Sequence, residues 1–119
     1  MLSHKDEAPN KVETIKKYLS RVFENPQLRV RHFFEPDRSL QSFRVEDADC
    51  GPISFGEEYF FDLPDNENGI VNRLTEARLP HAIRESNSNT RILIIWDREH
   101  LGHPKVVLET LDSTRQTAK

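Results

Sequence analysis

The segment Arg91-Ile92-Leu93-Ile94-Ile95-Trp96-Asp97-Arg98-Glu99-His100-Leu101-Gly102-His103-Pro104 limits what this chain can fold into more than any other. Five consecutive apolar residues, β-branched and aromatic among them, are what a strand buried on both faces looks like. The run then breaks directly into carboxylates and imidazoles. The pattern predicts a strand over 91–96, the central one because it lacks a polar face, ending in the densest cluster of chemistry-bearing side chains in the chain.

The remaining segments are assigned around that strand. Val12, Ile15, Leu19, Val22 and Phe23 recur at helical spacing, with Lys11, Lys16, Lys17 and Arg21 off the stripe. Asn10, with Glu13 three positions on, reads as a capping box, and Asn25-Pro26 as a stop, so a helix is expected over 11–24. The period then changes to two. Val30 and His32 share one parity, Arg29, Arg31 and Phe33 the other, and after a turn at Pro36-Asp37 the residues Phe43 and Val45 alternate with Ser42, Arg44 and Glu46.

Aligning the apolar faces leaves two registers for this hairpin. A four-residue loop over 36–39 sets Val30 opposite Val45, His32 opposite Phe43 and Arg31 opposite Arg44. A two-residue loop sets Val30 opposite Phe43 and Arg29 opposite Arg44. Both place two arginines side by side, which is unfavourable unless an anion or a carboxylate joins them. A third strand is expected from Ile53 to Phe61, with a bulge at Gly56-Glu57 that accounts for Phe60 on the opposite face. Ile70, Val71, Leu74 and Ala77 predict a helix, which Pro80 either kinks or follows with a second short one. Lys105–Thr110 reads as a last strand.

The fold class that follows is α+β: a mostly antiparallel sheet of four or five strands with two helices on one face, in the order α-β-β-β-α-β-(β). A chain of 119 residues is one domain by length. It is placed at 10–111, with polar tails at 1–9 and 112–119 expected to be disordered. No apolar stretch approaches the ~18 residues of a membrane span. The N-terminus lacks a signal-peptide core, and the single Cys50 has no internal disulfide partner. These features point to a cytoplasmic protein.

Asp97, Glu99, His100 and His103 combine carboxylate and imidazole, the ligand types of zinc and other divalent metals. They are the candidates for a metal-assisted hydrolase, and a divalent metal is the one cofactor the chain suggests. Arg29, Arg31 and Arg44, with Phe33 between them, form a candidate anion-binding stripe of the kind that grips single-stranded nucleic acid or acidic peptides. A net charge of −3 argues against a general nucleic-acid binder, since phosphate affinity comes from clustered Lys and Arg. His32 on an apolar strand face reads as a core histidine. Cys50, preceded by Asp47 and Asp49, reads as a surface-turn thiol with nothing to activate it. The glycines, at 51, 56, 69 and 102, are too scattered for a phosphate-binding loop.

In size, charge and element order the chain resembles small acidic secretion chaperones. That resemblance implies a dimer that binds extended segments of a client, and it carries no site residues. Phe33 and Phe60 fall on the parity opposite to their strands' main apolar faces, where water is expected. The sequence therefore favours a non-catalytic, protein-binding module. Its partner is another protein or a second copy of itself, held through Phe33 and Phe60 and the neighbouring Arg29, Arg31 and Arg44.

Overall fold

A computed structural model of the chain describes residues 3–46, 48–100 and 102–111, with side chains from Lys11 onward. The elements are α1 (Ser3–Val22), β1 (Val30–Glu35), β2 (Leu40–Val45), β3 (Ile53–Gly56), α2 (Glu57–Phe61), α3 (Glu67–Glu76), α4 (Leu79–Glu85), β4 (Thr90–Trp96) and β5 (Pro104–Thr110). The strands form one sheet in the order β1-β2-β3-β4-β5. Neighbours are antiparallel except β3 and β4, which run parallel across the helical crossover. The α+β class holds, with four helices rather than two among the described residues. The expected 112–119 tail lies outside them.

The helices share one face of the sheet because strand parity concentrates the apolar residues there. Phe43, Ile53, Phe55, Ile92 and Ile94, paired side by side across β2, β3 and β4, form one cluster with Ile15 and Leu19 of α1, Phe60 of α2, Leu74 of α3 and Leu79 of α4. Each of these residues is fully buried. The β1–β2 hairpin takes the register of the four-residue loop, with Val30 opposite Val45, His32 opposite Phe43 and Arg31 opposite Arg44.

Several expectations are corrected. The central strand is β3, while β4 sits between β3 and β5. Nor is β4 without a polar residue on its second face, since Arg91 shares that parity with Leu93 and Ile95. The third strand ends at Gly56, and residues 57–61 are helical. No bulge is needed, and Phe60 turns into the core on a helix. α1 begins at Ser3, so Asn10 lies within it and is not its cap. The first turns carry no apolar stripe, which is why periodicity finds the helix only from residue 11. Lys11 is buried rather than solvated: its Nζ donates to the Phe61 carbonyl at 2.9 Å, satisfying the end of α2. Arg78, at φ 62°, breaks α3 from α4, and Pro80 sits in the first turn of α4, where a missing N–H costs nothing. No helix among the described residues is long and apolar enough to cross a membrane.

Candidate functional site

The face of the sheet away from the helices carries the predicted arginine stripe, and the structure gives those arginines internal partners. Arg31 and Arg44 are register partners, and the like-charge contact is relieved within the chain. Arg31 donates to Glu46 at 2.8 Å, and the Arg44 guanidinium lies 6.0 Å from the centroid of the Phe33 ring. Arg29 is exposed at the same edge. Phe33 is half-buried on this face, whereas Phe60 is in the core. The two-phenylalanine patch expected from parity therefore does not exist, because Phe60 belongs to a helix and parity does not apply to it.

Across the middle of the same face runs a polar belt with one residue from each strand: Glu35, Ser42, Ser54, Arg91 and Glu109. Arg91 donates both Nη groups to Glu35, at 2.6 and 3.0 Å, and one of them also to Ser54 at 2.5 Å. Ser42 donates to Glu35 at 2.6 Å and lies 2.8 Å from Ser54. From the β1–β2 turn, Arg38 reaches Glu109 with two bonds of 2.9 Å. Arg38 also lines a hollow with Leu40 and Leu93, shared with Glu57, Glu58 and Tyr59 of α2, and both leucines are buried.

Burial alone would raise the Glu35 carboxyl. The hydrogen bonds from Arg91 and Ser42, with the Arg91 and Arg38 charges, outweigh it and hold the group below the ordinary carboxylate value. Glu109 is held down chiefly by its bonds from Arg38. Each acid in the belt is matched by a guanidinium, and the arrangement is a structural tie across the sheet.

The acid–histidine cluster is a folded turn. Asp97 accepts the Glu99 N–H at 2.9 Å and meets His100 Nδ1 at 3.1 Å. Its carboxyl is lowered first by that backbone bond and then by His100. The Asp97 N–H donates to the His103 carbonyl, and the His103 N–H to the His100 carbonyl. Asp97 and His100 are thus brought together, while His103 takes part through its backbone and Glu99 stays exposed. Among the described residues no three His, Cys, Asp or Glu side chains converge into a metal-holding group. His32, as expected, is a core-side histidine, although its partner is the Gln41 side chain at 2.7 Å rather than backbone. Cys50 is buried, not on a surface turn, and burial pushes its thiol up.

One concave site was not anticipated. A groove of roughly 410 Å³ opens between α4 and β5, floored by Ala82, Val106 and Leu108 and rimmed by His81, Glu85 and His103. It exists because α4 is only seven residues long and stops short of covering β5. Leu108, on the helix side of the sheet, is left 43% exposed. The signal in the sequence is the alternation of Val106 and Leu108 with Lys105 and Glu109 along this strand. In comparisons with known family models, curated proteins and solved structures, the chain matches none of them.

Proposed function

We propose that the chain is a non-catalytic binding module that holds a second polypeptide along β5. The observation that carries the reading is Leu108, a large apolar side chain left open on an edge strand. It lines a groove of roughly 410 Å³ between α4 and β5. Strand addition of this kind draws affinity from main-chain hydrogen bonds and selectivity from pockets under alternate residues. The same reading assigns the module to the cytoplasm, where the lone buried Cys50 stays a thiol.

The test is selection of peptides from a random displayed library on the immobilised protein, followed by titration into isotope-labelled protein. Bound peptides are expected to perturb the amides of 104–110 and of α4. Leu108→Glu should weaken binding about tenfold or more, the equivalent of ~1.4 kcal/mol, while Phe33→Ser leaves it unchanged. Peptides that perturb the arginine-bearing face instead would remove the reading, and so would a chain that takes up neither a peptide nor a second copy at β5.

A further inference from the structure

The polypeptide that fits this edge is a second copy of the same strand; we infer that the protein forms a two-fold dimer by antiparallel pairing of β5 with β5. The inference rests on the reading above in using the same edge. The Asp97 N–H donates to the His103 carbonyl and the Leu111 N–H to the Asn89 carbonyl. These bonds bracket the β4–β5 ladder, in which Trp96 faces Pro104 and Thr90 faces Thr110. Antiparallel ladders alternate between bonded and non-bonded pairs, so the odd-numbered residues of β5 face β4. The N–H and C=O groups of Val106 and Leu108 therefore point outward. Pro104 sits on the same outward parity, where its missing N–H costs the β4 ladder nothing.

A two-fold axis through Val107 satisfies that parity. Val106 then exchanges both backbone bonds with Leu108 of the second copy, and Leu108 with its Val106. Val107 meets Val107 in a non-bonded pair. Lys105 falls directly opposite Glu109 of the other copy, twice, in the non-bonded sites where side chains come closest. Glu109 already accepts from Arg38, but a carboxylate has about four acceptor positions and can take a lysine as well.

Neighbouring registers lose this match. Centred on Leu108 the pairing sets Val107 against Glu109, and centred on Val106 it sets Lys105 against Val107. Only the Val107 axis puts charge against opposite charge and apolar against apolar throughout. On the helix side it brings both copies of Val106 and Leu108 together, which covers the exposed leucine and joins the two grooves across the axis.

Sedimentation velocity across the micromolar range tests the inference on the full chain, with three variants. Wild type should be dimeric. Lys105→Glu, which sets acid against acid at both ends, should weaken association about tenfold. Under mild oxidation Val107→Cys should give a disulfide-linked dimer, because facing residues of a non-bonded pair lie at bridging distance. Lys105→Cys should not, since it would sit about 14 Å from its counterpart along the strands. The buried Cys50 does not compete.

A wild type that stays monomeric at high micromolar concentration overturns the dimer. So does a dimer indifferent to Lys105→Glu that fails to cross-link through Val107→Cys. If peptides still bind at β5 in either case, the interaction-module reading stands and only the second copy is excluded. If they do not, both fall.

Discussion

The two faces of this sheet hold residues of equal burial and opposite chemistry. Ile53, Phe55, Ile92 and Ile94 on the helix side and Ser42 and Ser54 on the other are all fully buried, yet only the first set is apolar. Helices exclude water from a whole area at once, and apolar side chains suffice beneath them. On the opposite face Ser42 and Ser54 are hydrogen-bonded to the Glu35 and Arg91 side chains. Whatever is buried there must be hydrogen-bonded or apolar. Parity thus shows which face receives the helices. It does not show how wet the other face is.

That contrast can be broken experimentally, and the largest effects should fall on the helix side. Phe60→Ala is expected to cost ~3–5 kcal/mol and Ile94→Ala ~2–5 kcal/mol, measured from urea midpoints. A cost no larger for Phe60→Ala than for Phe33→Ala would return residues 57–61 to the sheet.

On the belt, Arg91→Met should cost ~1–3 kcal/mol by leaving Glu35 short of its partner. Adding Glu35→Gln should recover part of that loss, because the stranded charge goes with it. The pH dependence has a defined sign. Glu35 and Glu109 are held below their ordinary values, so their contribution is complete above the unfolded-state pKa of about 4.3. It is lost as pH falls through the lower folded values. Wild type and Arg91→Met should therefore converge in stability at acid pH. Wild-type stability that stays flat through this range would show the belt to be no tie.

The smallest effect is expected from Arg31→Ala, within about 1 kcal/mol, because its pair with Glu46 is solvent-exposed.

The hairpin register was narrowed to two alignments by the Pro36-Asp37 turn and two facing apolar parities, and only the structure selects the four-residue loop. Pro80 signalled either a kink or a second helix, and the left-handed Arg78 before it makes the break between α3 and α4. α2 was not, because Tyr59, Phe60 and Phe61 are residues strands favour, and Tyr59 and Phe61 happen to keep the parity of Ile53. The contrary signal was Glu57-Glu58, acids placed where a helix begins.

The belt was illegible for a different reason. Its members are spread over five strands, and only the strand order brings Glu35 to Arg91. Conversely, Asp97, Glu99, His100 and His103 are close in sequence, yet only Asp97 and His100 meet through their side chains, and no group of three converges among the described residues. The groove depends on α4 being shorter than the strand it should cover, a comparison of two elements that periodicity treats one at a time.

The parallel contact between β3 and β4 also sets an order of events during folding. The β1–β2–β3 meander and the β4–β5 hairpin each form from neighbouring segments. The seam between them pairs Ile53 with Ile92 across the entire helical crossover and has the most chain to close. At its entrance a side chain on Gly51 would place Cβ 1.9 Å from the Thr90 carbonyl oxygen, so the two halves meet there with no room for anything larger than hydrogen. Until they meet, Ile92-Leu93-Ile94-Ile95 is an apolar strand with one unprotected edge. The time the seam takes to close is then the interval in which the chain is open to aggregation.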